Sequence, residues 1–407
     1  MAAGWRIVLA YLVYFGAIGA SYPYLQVFYH DLGLTFEEIG VLTAIQAGTQ
    51  LVLGPVWGGL VDRFPRVGVT LPAAALVATI GGFILFGASD FSSTLVGSML
   101  LFAGLAGIGP TLDARTLETL GPSGRDRYGQ VRAFGSLGFV VVALLVGLLL
   151  EARESRSLFW VYLPGLIATV LVTATIPRRG AMRSVSMRRG AGQVLAAPGI
   201  PLFFVGFTIV WTSLTAINAF YSIQVVALGG GTALVGITWA FGAIIEVPLM
   251  YTYPRFSARF GIERLLVFGT LAFVLRAILG AIATDPVALV LIAPLEGLGF
   301  ACAFVGGVTV LAARLPGSLG GTAQGLFSAS AGLATILGSV VGGTIAGALG
   351  IPGMFAASAV IGLTGSVVIG YAVLGSRAGI GPAHAVPTNA PGVTPVPVVG
   401  GEPDLKP

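Results

Sequence analysis

Gly58-Gly59-Leu60-Val61-Asp62-Arg63-Phe64-Pro65-Arg66 is a short charged turn between two long apolar runs, residues 37 to 60 and 67 to 88. Its Arg63-Phe64 pair returns 196 residues later as Arg259-Phe260, again at the end of an apolar run. At the same offset Ile39-Gly40-Val41 returns as Val235-Gly236-Ile237, and Gly129 as Gly325. Three coincidences at one offset, each at the matching end of a matching run, indicate two parallel repeats. Repeats of this kind place a substrate path at their interface, near the membrane midplane.

Around that turn the apolar runs fall near residues 5 to 28, 37 to 60, 67 to 88, 94 to 114, 128 to 150 and 157 to 176. A second set follows near 200 to 223, 232 to 254, 264 to 283, 287 to 312, 321 to 348 and 352 to 374. Each bilayer crossing needs roughly 20 apolar residues. The chain of 407 residues is 56% hydrophobic and only 9% charged, with a mean hydropathy of +0.95, whereas soluble domains carry about 25% charged residues. The expectation is an all-α polytopic membrane protein of 12 transmembrane helices in two six-helix repeats. Its N-terminal bundle would cover 1–176 and its C-terminal bundle 200–374. A basic cytoplasmic linker, 177–199, would join them, and a proline-rich disordered tail, 375–407, would follow. The first run reads as a retained helix, because many similar runs follow it.

Among the basic residues outside these runs, only Arg153 and Arg156 fall on one face; all others fall on the opposite face. By the positive-inside rule the crowded face is cytoplasmic, with both termini there, in the cell inner (plasma) membrane. Basic charge therefore reports topology, and no nucleic-acid partner is expected. The single cysteine, Cys302, permits neither a disulfide framework nor a thiolate metal site within one chain, and no metal is expected. There is no glycine-rich phosphate loop for ATP and no nucleophile, base and orienting group in a recognisable arrangement, so the chain does not read as an enzyme.

The 58–66 turn, the basic central loop and the six-plus-six pattern together resemble the major facilitator superfamily. Pro65 stands where its loop signature has a second glycine, and Ala258 replaces the aspartate of the second copy, which keeps Arg259-Phe260-Gly261. In such a gating loop Gly58 would let its helix approach a neighbour closely. Asp62, Arg63, Arg66 and Arg259 would pair where the cytoplasmic helix ends meet; a loop that merely sets topology is the alternative. A closer likeness lies in Tyr128-Gly129-Gln130-Val131-Arg132-Ala133-Phe134-Gly135-Ser136-Leu137-Gly138-Phe139 and in Leu295-Glu296-Gly297-Leu298-Gly299-Phe300, with Asp113, Glu246-Val247-Pro248 and Arg276. These are similar to the lactose permease-like branch, whose relatives carry sugars, nucleosides or phenylpropionate with protons. The resemblance implies that Asp113 and Arg132 face substrate, that Glu246, Arg276 and Glu296 occupy the functional positions of helices 8, 9 and 10, and that the protein works as a monomer. It also implies that the protein needs no cofactor beyond a proton gradient.

Charged side chains in hydrocarbon are costly, so those kept at depth are functional candidates. At 1.5 Å per residue, Glu246 lies about 14 Å from the helix end marked by Arg255, and Arg276 about 18 Å beyond Arg264. Glu296 falls about 14 Å from the same side of a roughly 30 Å core. With two acids and one arginine at one level, one carboxylate pairs with Arg276 and the other is left unpaired, which is what a proton site needs. Glu296 or Glu246 would carry the coupling proton, with Arg276 controlling its affinity; a static buried network is the alternative. Asp113 and Arg132 read either as substrate contacts or as an interfacial salt bridge. Tyr14 and Asn218, polar tips on helices 1 and 7, are further candidate substrate contacts. The expectation is a secondary transporter moving a small polar or anionic organic solute by alternating access, with proton symport. Efflux of amphiphilic compounds is one alternative, and a membrane receptor or scaffold on the same fold is another.

Overall fold

In hydrocarbon no water is present to satisfy backbone N–H and C=O groups, so an apolar run of this length folds as a helix that bonds internally. The computed structural model describes residues 4–63, 69–120, 128–176 and 190–375, without the side chains of residues 61–63, 129 and 317. In the first half the helices are α1 (Gly4–Ser21), α2 (Leu25–Asp31), α3 (Phe36–Arg63), α4 (Thr70–Phe86), α5 (Phe91–Leu120), α6 (Tyr128–Glu151) and α7 (Phe159–Ala174). A short helix, α8 (Ala191–Ala196), precedes α9 (Ile200–Ala227), α10 (Thr232–Phe260), α11 (Ile262–Ile282), α12 (Pro286–Ile292), α13 (Pro294–Arg314) and α14 (Gly320–Leu374).

Two crossings are bent where a proline removes a backbone donor and crowds the preceding turn. Pro23 separates α1 from α2, and Pro294 separates α12 from α13. The 55 residues of α14 would run about 80 Å if straight, far more than the roughly 30 Å hydrocarbon core. Gly350, at φ 72°, breaks it into two crossings in a left-handed conformation suited to glycine, with Pro352 just beyond. With α1–α2 and α12–α13 counted as single crossings, the described residues form twelve apolar crossings.

The 196-residue repeat runs through the helix boundaries themselves. Adding 196 to residues 4 and 31 gives 200 and 227, the ends of α9. Adding it to 36 and 63 gives 232 and 259, against 232 and 260 for α10. Packing repeats too: α1 lies on α6 as α9 lies on α14, and α3 on α5 as α10 on α13. Between the halves, α3 meets α14 and α6 meets α10.

These cross-half contacts concentrate at the end that carries Glu151. There Thr232 Oγ1 donates to the Gly147 carbonyl at 2.9 Å. The Glu151 carboxylate accepts the Ala233 N–H at 2.9 Å at the start of α10, where a negative charge complements the helix dipole. At Gly40 a Cβ would stand 3.0 Å from the Gly343 Cα, so two glycines carry the α3–α14 crossing. Toward the arginine-rich end the same helix turns outward: Gly54, Gly58 and Gly59 face open space. Among the described residues the close approach expected at Gly58 is made at Gly40 instead, because the described contacts of α3 with α14 lie toward the other end. One large apolar cluster crosses between the halves, joining Tyr24 and Phe28 to Phe220, Leu289 and Phe355. A second lies within the C-terminal half around Phe203, Phe207 and Phe327. It includes fully buried Val194 of α8, so the last part of the expected linker is an ordered helix seated on the core.

Candidate functional site

A cavity of about 550 Å³ lies between the halves. From the first half it is lined by Phe15, Ile18 and Tyr22 on the first crossing, Gln46 and Gln50 on α3, and Arg132 and Ser136 on α6. From the second come Trp211, Thr215 and Asn218 on α9, Trp239 and Glu246 on α10, Glu296 and Phe300 on α13, and Thr335 on α14. At the sealed end Tyr22 meets Trp239 edge-on at 5.0 Å, so one aromatic from each half stands over the cavity.

The charged centre is built from α9, α11 and α13. Arg276, only 1% exposed, sends one guanidinium N–H to Asn218 Oδ1 at 2.8 Å and places the other terminal nitrogen 3.1 Å from Glu296 Oε2. The Asn218 amide completes the triangle by donating to Glu296 Oε1 at 2.7 Å. The arginine's other face covers the Tyr221 ring at 4.2 Å, a favourable cation–π arrangement. All three helices are apolar nearly all round, so this polar triangle is what fixes their rotation at mid-depth. Glu246, on α10, has no hydrogen bond or ion pair among the described residues. The charged groups near enough to act on it are Glu296 and, from the other half, Arg132. Thus one acid is paired with Arg276 and the second is left over.

Arg132 reaches the cavity with its guanidinium 3.8 Å over the Phe15 ring. It makes no ion pair with Asp113. That carboxylate instead accepts a hydrogen bond from the Tyr11 hydroxyl at 2.5 Å, which in turn accepts from Thr116 Oγ1 at 3.2 Å. Asp113 is thus drawn into a polar cluster of the first half, away from the cavity wall, and neither lines the cavity nor forms the interfacial salt bridge. Tyr14 is buried within the same half, edge-on to Phe15 at 4.9 Å. Its neighbour on the cavity side is Tyr22, which lies on the Phe15–Ile18 face of the crossing. Of the gating-loop residues, Arg66 and the side chains of Asp62 and Arg63 lie outside the described set. Arg259 is exposed at the end of α10, with its guanidinium 5.5 Å over Phe260. Gln46 was not singled out by the sequence reading; it is 3% exposed and donates to the Tyr29 hydroxyl at 2.9 Å. Its signal is a glutamine within an apolar run.

Twelve apolar crossings in two repeats, with a charged cavity at their interface, define the architecture of a polytopic membrane transporter. The MFS_1 like family matches residues 4–357, nearly the whole described chain, and the protein belongs to it. The maltose permease of Geobacillus stearothermophilus is 28% identical over 281 residues, covering 68% of this chain and 70% of the relative. Multidrug resistance protein 1 of Bacillus subtilis is 24% identical over 344 residues, covering 81% and 86%. Among solved structures, the nucleoside transporter NupG superposes with a TM-score of 0.81 at 18% identity, covering 92% of this chain and 99% of that one. This last likeness speaks for the major facilitator fold alone.

Proposed function

We propose that the protein is a secondary active transporter that carries a small polar or anionic organic solute with protons by alternating access. The arginine-rich face is cytoplasmic on this reading, with both termini there, so the conformation is sealed outside and parted inside. The observation that carries the proposal is the leftover acid. Glu246 faces the cavity beside the Arg276–Asn218–Glu296 triangle and takes no part in its bonds, so it can take and release a proton without dismantling that triangle. Arg132, on the opposite wall, supplies the positive charge that an anionic or hydroxylated solute would need, through paired N–H groups. The proton gradient supplies the energy, and a single chain forms the path.

A sugar permease and a phenylpropionic acid transporter among the relatives support uptake of such solutes. The aromatic wall of Phe15, Trp211, Trp239 and Phe300 favours a second reading, efflux of amphiphilic compounds, and drug-resistance proteins are relatives too. The test is solute-driven proton movement in proteoliposomes, screening sugars, nucleosides and aromatic acids on wild type and Glu246→Gln. Alkalinisation of the medium with one class, absent in the variant, supports symport and names the class. Solute movement by the wild type without any proton movement overturns it.

A further inference from the structure

A second large hollow, of about 460 Å³, lies outside the central cavity and faces the bilayer. Its origin is the hinge between α10 and α11. One residue, Gly261, joins the two helices at φ 87°, a left-handed value that strains any other residue. Both helices pack on α13 and make little contact with each other, so they diverge from that hinge like the arms of a V with α13 as its floor. The walls are apolar, with Leu249, Phe256 and Phe260 from α10 and Leu265 and Phe268 from α11, and Leu298 and Cys302 form the floor. Phe256, Phe260 and Phe268 are between 44% and 52% exposed, so three rings meet whatever fills the groove.

Two observations identify the occupant. From Phe260 to Leu249 the groove runs eleven residues along α10, about 16 Å, the depth of one leaflet of a roughly 30 Å core. Its only charged lining residue among those described, Arg264, sits at the apex on the arginine-rich face. Arg264 is exposed and has no ion pair among the described residues, while Arg259 lies over Phe260 at the same apex. The adjacent acid, Glu263, is already engaged by Arg314 at 3.8 Å. We infer that this groove is a binding site for an anionic phospholipid of the arginine-rich leaflet. An acyl chain lies along Phe256, Phe260 and Phe268, and the phosphate sits at Arg264. A zwitterionic lipid fits the walls equally well but brings its own cation to the apex, so the site discriminates by headgroup.

The test uses the full-length protein in nanodiscs that contain either phosphatidylglycerol or phosphatidylcholine, each with the same acyl-chain diazirine, and maps photo-adducts by mass spectrometry. Adducts on residues 249–268 and 298–302 should be about fivefold enriched for phosphatidylglycerol, the ratio that ~1 kcal/mol per arginine at an anionic surface gives. Adducts elsewhere on the lipid-facing surface serve as the internal reference. Arg264→Gln should bring the ratio close to one without altering the reference adducts, and Arg264→Lys should retain most of it. Leu249→Trp, which fills the groove and leaves the apex intact, should remove adducts of both lipids there. Equal labelling of the groove by the two lipids in the wild type overturns the inference, as does enrichment that survives Arg264→Gln.

Discussion

Removing the two members of the buried ion pair should have unequal consequences, and removing both should cost well below the sum of the two. In Arg276→Met the Glu296 carboxylate loses a charge partner at 3.1 Å but keeps the Asn218 amide and is 20% exposed. The cost of breaking a buried pair, about 3–5 kcal/mol, is reduced by that exposure to about 3 kcal/mol. In Glu296→Gln the stranded group is Arg276, 1% exposed and unable to shed its proton, so the full 3–5 kcal/mol applies, apart from what the Asn218 bond retains. Arg276→Met/Glu296→Gln leaves no charge stranded, and the side-chain carbonyl that replaces the carboxylate can still accept from the Asn218 amide. We expect the double variant to lie within about 1 kcal/mol of Glu296→Gln alone, with a coupling energy of about 2–3 kcal/mol against the sum of the singles. Unfolding in dodecyl maltoside micelles, followed by tryptophan fluorescence under a titration with sodium dodecyl sulfate, measures all four proteins. Additivity of the two substitutions within ~0.5 kcal/mol would show that the pair is not energetically coupled and would sink the argument.

Glu246→Gln should leave that unfolding midpoint nearly unchanged, because the side chain has no bonded partner to lose, and should abolish solute-driven proton uptake. A large destabilisation would make Glu246 structural instead. Gly40→Leu and Gly58→Leu should bias the protein in opposite directions. At Gly40 the new side chain collides with Gly343 and pries the sealed end apart, whereas at Gly58 it fills space only when the arginine-rich end closes. Spin-label distances across each end of the bundle test this, and a shift of the same sign in both variants would refute it. Asp90 caps α5 by accepting the Ser93 N–H at 2.9 Å, and these hydrogen bonds hold its carboxyl below the usual range. A group lowered in the folded state stabilises above its unfolded pKa and loses that contribution as pH falls through the folded value. Asp90→Asn should therefore flatten the acid limb of the stability profile, and an unchanged acid limb would argue against the cap.

The crossings and their pairing were legible because both signals are periodic and redundant. Twelve apolar runs stand out against sparse charge, and a repeat at offset 196 leaves its mark on helix ends as well as on residues. That Glu246, Arg276 and Glu296 come to one level was legible for the same reason. A charge inside an apolar run is conspicuous, and a fixed rise per residue gives its level. What one sequence does not carry is rotation about the helix axis. A helix that is apolar on every side offers no moment by which to choose its inward face. Tyr14 and Tyr22 both lie on the first crossing, yet Tyr22 shares the Phe15–Ile18 face that meets the cavity, and Tyr14 faces the N-terminal core. The same ambiguity places Asp113 beside Tyr11 instead of on the wall with Arg132.

Conformational state is a second quantity outside the reach of local pattern, and Gly58 shows why. A chain that alternates between two packings must encode both interfaces at once, so each contact surface is present in the sequence whether or not it is in use. Gly40 and Gly58 have the same composition signal, a small residue on an apolar helix, but one touches a neighbour and the other touches none of the described residues. Removing a side chain weakens helix propensity by about 1 kcal/mol relative to alanine and gains nothing where the backbone has no neighbour. Glycines that face space at the arginine-rich end are thus an unexplained cost in the conformation with that end open. On the proposed alternating-access function they acquire a packing role once that end shuts and α3 passes close to its partner. Under that proposed function, both ends of one helix are provisioned for contact and the halves would occupy only one of them at a time.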